Sequence, residues 1–352
     1  MGKIYTNFYP QIHDLFNLWQ AFVKASKGRR SHPSIAAFEY NLEPELIRLR
    51  DELRNETYKP GGYRSFTVHE PKRRKISAAP FRDRVVHHAL MNVVGPMLER
   101  KFIHDSYANQ IGKGTHRALD RCTYFMRRYA YVLPCDVRQF FPSIDHEILK
   151  SILSKTVRDG RAMGLIEKIM ASGEGVLNDE YDMIWFPDDD LFSAGRPRGL
   201  PIGNLTSQFW ANVYLNELDQ FVKQKLKVRA YLRYVDDFVL FSDDQKELLA
   251  WRGAVVNFLA SLRLIVHEES AHPRPAWKGI TFLGFIVFPE HRRLKPPKGY
   301  AFRRRWRYLC SLRRAGGMTP EKLKIHAVAW ANHARYGDTW NLRRKILNSA
   351  AS

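Results

Sequence analysis

Hydrophobic positions recur at helical spacing in the first part of the chain. Leu15, Leu18 and Phe22, then Leu46, Ile47, Leu49 and Leu53, predict helices across residues 10–60. Pro60-Gly61-Gly62 ends that pattern. Phe66-Thr67-Val68 predicts a strand within a mixed segment from Tyr63 to Ala79, and Val85, Val86, Leu90 and Val93-Val94 give one apolar face to a helix from Arg82 to Arg100. The run YVLPCDV, residues 131–137, has the length and unbroken apolar character of a buried strand. Pro142 breaks the chain after it, and Ser143 is the expected N-cap of a helix through Ile148, Leu149 and Ile152. Asp188-Asp189-Asp190 marks a turn in the acidic and aromatic stretch 176–195. A turn-rich run, 196–201, leads through IGNLTSQ, 202–208, into an amphipathic stretch from Phe209 to Leu226; Asn204 or Thr206 is the expected helix cap. AYLRYVDDFVLFS, 230–242, predicts two strands meeting at Asp236-Asp237. A helix from Lys246 to Leu262 and a hairpin over Thr281–Phe288 complete the pattern, and no internal repeat stands out. This order predicts an α+β fold, an antiparallel sheet backed by helices.

Composition then narrows the class. The chain has 352 residues, 45% hydrophobic and 13% aromatic, enough for a sizeable core. No run of 18 apolar residues occurs, and residues 1–16 lack the apolar centre of a signal peptide, so neither a membrane span nor secretion is expected. Cys122, Cys135 and Cys310 are widely separated without metal-ligand spacing, which fits a reducing cytoplasm. The formal charge of +21 points to a polyanionic partner, with an anionic membrane surface as the bland alternative. From His291 on, 16 Lys/Arg face only Glu321 and Asp338, so the tail reads as a basic helical appendage. Within it, Arg303-Arg304-Arg305-Trp306-Arg307-Tyr308 interleaves rings that stack on bases with guanidinium groups that meet phosphates, although a solvated basic helix face has the same pattern.

The carboxylates carry the candidate chemistry. Asp136 ends one predicted strand, and Asp236 and Asp237 form the tip of a predicted hairpin. Asp-Asp is a good turn pair and Asp136 could simply open a loop. Together, in so basic a chain, they have a second reading. Carboxylates brought together repel unless a cation neutralises them. Mg²⁺ is typically held by one or two carboxylates plus substrate phosphates, and two such ions serve nucleotidyl transfer by activating a 3′-hydroxyl and stabilising the leaving pyrophosphate.

Tyr234-Val235-Asp236-Asp237 resembles the YxDD signature of reverse transcriptases, and Cys135 to His146 (CDVRQFFPSIDH) resembles that family's first palm carboxylate motif. The resemblance covers about residues 63–290 and implies a right-hand polymerase of fingers, palm and helical thumb. The implied division is 1–95 for an N-terminal extension and fingers, 96–290 for the palm with interleaved fingers elements, and 291–352 for the thumb. It implies Asp136, Asp236 and Asp237 as catalytic, with Val137 adding a backbone carbonyl to two Mg²⁺ ions that Mn²⁺ can replace. Phe141 corresponds to the steric gate that favours deoxynucleotides; the bland reading is a core phenylalanine. Lys72-Arg73-Arg74-Lys75, followed by Asp83-Arg84, resembles the finger segment gripping the incoming triphosphate, with Arg74 the first phosphate contact and Lys72 the second. A solvated charge run is the alternative. Ser106 to Thr115, with Lys113, resembles the motif lining the template path, and Leu283-Gly284-Phe285 resembles the primer grip. The basic run Arg303, Arg304, Arg305 and Trp306 is expected on the nucleic acid. The family's lysine after the catalytic hairpin is Ser270 here; His267, His272 and Lys278 lie nearby, and the general-acid role stays unassigned.

One departure selects a branch. Most of the family carries Gln-Gly-x-x-x-Ser-Pro where this chain has Ile202-Gly203-Asn204-Leu205-Thr206-Ser207-Gln208. Ile202 and Gln208 at the two ends resemble the reverse transcriptases of diversity-generating retroelements, as do the stretches 76–84 and 212–219. That branch copies a template RNA into cDNA with errors at adenines, in bacteria, archaea or their phages. Its implied partners are template RNA, primer and cDNA, deoxynucleoside triphosphates, and a small basic accessory protein that can be oligomeric. Ile202, Gly203 and Gln208 are then expected in the nucleotide pocket. The alternatives are a group II intron or retron-type reverse transcriptase and a non-catalytic RNA-binding protein on the same fold.

Overall fold

The structure is a computed structural model that describes residues 5–69, 73–187 and 189–348. Lys72 and Asp188 therefore lie outside the described residues. At the N-terminal end, helices Leu15–Ser26 and Pro33–Tyr40 pack on the long helix Phe81–Glu99, and helix Leu42–Arg54 packs on those two. Their apolar faces, including Leu18, Phe22, Leu49 and Leu53, are fully or almost fully buried against Val85, Val86 and Leu90. Asp14 caps the first of these by accepting from the Asn17 amide at 3.1 Å.

Strand β1 (Arg64–Val68) pairs antiparallel with β2 (Arg74–Ala78) as a separate two-stranded ribbon. The central sheet holds β3 (Tyr131–Asp136), β4 (Tyr231–Tyr234), β5 (Asp237–Ser242) and β6 (Arg274–Pro275), in the order β4-β5-β3-β6. A second sheet of three strands, β7 (Ile280–Phe282), β8 (Phe285–Val287) and β9 (Arg292–Leu294), follows. The β7–β8 turn is Leu283-Gly284, both at positive φ (48° and 87°), as a tight two-residue hairpin turn requires.

The central sheet is buried on both faces, which explains its unbroken apolar runs. Alternate residues feed two cores: Leu133, Cys135, Phe238 and Leu240 join one, while Val132, Val239 and Phe241 join the other. Pro134 is tolerated inside β3 because β6 pairs only with Tyr131 and Val132. The side to which Pro134 would have donated has no ladder partner there.

Two local expectations are corrected. The helix His146–Ser154 is capped by Asp145, which accepts from the Glu147 and Ile148 amides at 2.9 and 3.0 Å; Ser143 instead ends a short helix, Phe140–Ser143. The stretch after residue 208 is not amphipathic towards solvent. Helix Leu205–Gln220 is buried on nearly all sides, including the polar Asn212, Asn216 and Asp219. The C-terminal helices Pro296–Arg314, Pro320–Ala334 and Trp340–Asn348 enclose a small core of their own around Trp306, Leu309, Leu323 and Ile346.

Candidate active site

The three aspartates meet at one end of the central sheet. Asp136 ends β3 and is the cross-strand partner of Asp237, the first residue of β5. Directly opposed residues of an antiparallel pair stand on the same face. Tyr234 pairs with Asp237, so Val235 and Asp236 are the two central residues of the hairpin turn. Val235 has φ +57°, in the left-handed region where two-residue hairpin turns favour glycine. For a β-branched residue that conformation costs roughly 1–3 kcal/mol, and strain of this kind persists only where surrounding structure enforces it.

Asp236 is half-buried, and burial first, then the negative charge of Asp136, raises its carboxyl pKa to about 6; the charge of Arg74 works in the opposite direction. Asp136 and Asp236 therefore feel one another, and β2 brings Arg74 within electrostatic reach of the same point. Beyond β3 the chain stays extended. Val137 bridges Val266, the Asp136 carbonyl accepts from the His267 amide at 2.9 Å, and the Arg138 amide donates to Ile265 at 2.7 Å. Backbone direction alternates along an extended chain, so the Val137 carbonyl is turned away from Val266, to the side of β5.

The donor set suits a hard divalent cation. Two carboxylates and a carbonyl are oxygen ligands, and the like-charge penalty on Asp236 is one that a cation would relieve. The adjacent Cys135 is no competing thiolate, because burial pushes its pKa up to about 12. Among the described residues no group of three or more His, Cys, Asp or Glu side chains is placed to hold a metal ion by itself. A Mg²⁺ ion here would complete its shell with water and substrate phosphates, as that ion ordinarily does.

The 202–208 loop forms a wall joined to β2. The Ser77 amide donates to the Ile202 carbonyl at 2.8 Å. Asn204 stands at the N-cap position of helix Leu205–Gln220 but does not cap it with its side chain. Its amide instead accepts from the Ala79 N–H at 3.0 Å and donates to the Ser77 and Pro201 carbonyls at 2.8 and 3.0 Å. Gly203 has φ +117°, and a Cβ there would lie 2.9 Å from Ile76 Cγ2. Ile202 and Gln208 are half-buried, and the Gln208 carbonyl accepts from Asn109 at 3.4 Å. Phe141, also half-buried, accepts through its carbonyl from the Leu200 amide at 2.9 Å, which ties it to the run leading into that loop.

Other expected contacts lie elsewhere. The Lys113 ammonium donates to the His104 and Ser106 carbonyls, both at 2.7 Å, and so organises its own loop. Trp306 is buried at 7% exposure against Phe302, its indole N–H donating to the Leu347 carbonyl at 3.3 Å. Its ring fills the C-terminal core and is not available to bases, which corrects the expectation drawn from the Arg-Trp-Arg pattern. Arg304 and Arg305 are exposed on that helix, and Arg303 lines a cavity with Tyr300 and Lys345.

Sequence reasoning missed two features. A basic cavity of about 260 Å³ lies behind Gly203–Leu205, lined by Lys24, Lys27, Arg29, Arg84, His87 and His88. Lys24, Lys27 and Arg29 come from the end of helix Leu15–Ser26 and the turn after it, and helix Phe81–Glu99 adds Arg84, so only the fold brings the two groups to one cavity. The second is the set of partners that the acidic stretch meets at 179–182. Asp179 accepts from Lys75 at 2.6 Å, and Asp182 from Arg138 and Gln139 at 3.0 and 2.9 Å.

Against this geometry, residues 59–287 match the family of the reverse transcriptase (RNA-dependent DNA polymerase). The chain belongs to the reverse transcriptase family. It is similar to Protein YkfC of Escherichia coli (strain K12), 26% identical over 292 residues that cover 72% of this chain and 73% of that protein. It is also similar to the group II intron-encoded protein LtrA of Lactococcus lactis subsp. cremoris, 24% identical over 185 residues, 52% of this chain and 29% of LtrA. Among solved structures, telomerase from Candida tropicalis aligns with a TM-score of 0.46 and 12% identity, covering 69% of this chain and 58% of that one. The chain thus spans less than a third of LtrA and somewhat over half of the telomerase chain. Membership of this family makes the α+β architecture that of a right-hand polymerase, and the enzyme class that of an RNA-directed DNA polymerase. No helix among the described residues is long and apolar enough to cross a membrane.

Proposed function

We propose that this chain copies a template RNA into cDNA by two-metal nucleotidyl transfer, with low fidelity at adenines, as the reverse transcriptase of a diversity-generating retroelement. The observation carrying the chemistry is the meeting of Asp136 with the Asp236-Asp237 turn at one sheet end, with Arg74 of β2 acting on Asp236. Asp136, Asp236 and the Val137 carbonyl would hold the divalent ions, with Asp237 beside them. Bound there, Mg²⁺ or Mn²⁺ supplies charge neutralisation and activation of the primer 3′-hydroxyl. Arg74 and Lys72 meet the triphosphate of the incoming nucleotide. Phe141 abuts the sugar and excludes a 2′-hydroxyl by shape. The basic C-terminal helices hold template and primer, giving a fingers, palm and thumb division near residues 95 and 290.

The fidelity assignment rests on Ile202. Its backbone is anchored by Ser77, so the side chain is the variable. A glutamine there could hydrogen-bond the nucleotide, whereas isoleucine offers shape contact alone. One lost hydrogen bond removes about 1 kcal/mol of discrimination, on the order of fivefold in misincorporation. Primer extension on an RNA template with Mg²⁺ tests the activity, and equal product from wild type and Asp236→Ala would refute it. Sequencing the cDNA of Ile202→Gln tests fidelity: adenine errors should fall, and an unchanged error spectrum would remove residue 202 from that role.

A second reading, a group II intron-type reverse transcriptase, is favoured by the similarity to LtrA. Neighbouring DNA distinguishes the two. A pair of imperfect repeats differing at adenines supports the retroelement, and a flanking intron RNA supports the alternative.

A further inference from the structure

Arg233 is a fully buried guanidinium one residue before the Tyr234-Val235-Asp236-Asp237 turn. It is held from one side by helix Leu205–Gln220. Nε donates to Asp219 Oδ1 at 2.8 Å, Nη2 to Asp219 Oδ2 at 2.6 Å, and Nη1 to Asn212 Oδ1 at 3.1 Å. The Asp219 carboxylate, itself fully buried, also accepts from the Tyr231 hydroxyl at 2.7 Å. Burial opposes the charge on Arg233, and Asp219 more than offsets it, leaving the guanidinium pKa above its ordinary value. A bidentate pair of this kind fixes a side chain in one rotamer.

The same Nη1 donates to the Val235 carbonyl at 2.9 Å. That is the strained residue, and its carbonyl belongs to the peptide bond that leads into Asp236. The Arg233 backbone is clamped as well: its amide donates to the Asp105 carbonyl at 2.9 Å, and its carbonyl accepts from the Tyr107 amide at 3.0 Å. Side chain and main chain thus tie the turn to helix Leu205–Gln220 and to the segment before Lys113. A buried charge pair is poor evidence for stability, because apolar residues of similar volume often serve as well. The ion pair lies two residues from the strained Val235, and one of its donors reaches that residue's carbonyl.

We infer that Arg233, locked by Asp219 and Asn212, is a positioning residue that holds the Val235 carbonyl and so sets where the Asp236 carboxylate stands. It touches no substrate; it acts through the turn. The inference deepens the polymerase reading and rests on it for its kinetic consequence, while the structural consequence stands alone.

The test uses Arg233→Met combined with Asp219→Leu in the full chain. Removing both charges leaves no lone buried ion, so the pair is expected to fold, and Arg233→Met alone serves as the comparison that strands Asp219. Deuterium uptake of the peptide Tyr231–Ser242 should rise in the double variant, while peptides from helix Leu15–Ser26 stay unchanged. In primer extension kcat should drop about 100-fold, the consequence of misplacing a reacting group by about 1 Å, with the deoxynucleotide KM within about twofold. The Mn²⁺ concentration giving half-maximal rate should rise, and Arg233→Lys, which keeps a donor, should recover part of the loss. A folded double variant with unchanged uptake in Tyr231–Ser242 overturns the inference, whatever the activity. So does unchanged kcat beside an active wild type. If the wild type itself makes no cDNA, the polymerase reading fails, and the exchange measurement still decides whether Arg233 holds the turn.

Discussion

Replacing Asp236 with asparagine should abolish metal-dependent activity and yet make the metal-free protein more stable. Asp236 has its pKa raised from 3.8 to about 6, by burial and then by Asp136. A difference of about 2 pK units corresponds to about 3 kcal/mol between the two protonation states. Asparagine removes the charge but still buries a polar amide, so the net gain is about 1–3 kcal/mol, roughly 1–4 °C in melting temperature for a chain of this length. The direction with pH follows from the raised value. Between about pH 4 and 6 the folded protein holds more protons at this site than the unfolded chain, so wild-type stability falls as pH rises through that window. The penalty is complete above about pH 6 and absent below about pH 4. Thermal melts of wild type and Asp236→Asn, in chelator at pH 7.5 and at pH 4, measure it. The variant should melt higher at pH 7.5 and together with wild type at pH 4. Adding Mg²⁺ at pH 7.5 should close the gap by stabilising the wild type alone. A variant that melts no higher than wild type in chelator would mean that the carboxylates do not repel one another, and the metal-site reasoning would fall with it.

The same titration predicts that the extension rate at subsaturating Mg²⁺ falls below about pH 6, where Asp236 takes up a proton; a flat profile from pH 5 to 8 would contradict it. Gly203→Ala should lower extension by at least about tenfold, because its φ of +117° and the 2.9 Å approach to Ile76 force the 202–208 loop away from β2; an alanine enzyme with wild-type nucleotide KM and kcat argues against that wall. Trp306→Ala should cost about 3–5 kcal/mol in the C-terminal core and loosen nucleic-acid binding only as a result of unfolding there. Arg305→Ala, by contrast, should leave the melting temperature unchanged and reduce the salt dependence of template–primer binding by about one phosphate contact, read from binding titrations at several salt concentrations.

Much of the catalytic end was legible in the sequence because its cues are local. YVLPCD and DFVLFS are unbroken apolar runs, and a strand buried on both faces reads that way wherever it occurs. The carboxylates at their ends stand out because acidic residues interrupt apolar runs in a chain of charge +21. The β7–β8 turn announces itself through glycine at 284. Trp306 misled because an Arg-Trp-Arg pattern looks the same whether its aromatic faces solvent or a core. The helix position decides that, and here it faces Leu347. Asn204 had the right type and position for a cap, but β2 approaches from more than a hundred residues away and takes its side chain.

The sequence by itself determined the two long central strands, several of the helices, the positions of the three aspartates and the family that their spacing resembles. Those depend on neighbours within a few residues, where periodicity and turn chemistry act directly. Only the tertiary structure decided that Asn212 and Asp219 are buried, that they hold Arg233, and that Arg233 holds the carbonyl of Val235. A polar residue on a helix reads as solvent-facing until a partner from another element meets its hydrogen bonds in the interior, and that partner is chosen by packing rather than by spacing along the chain.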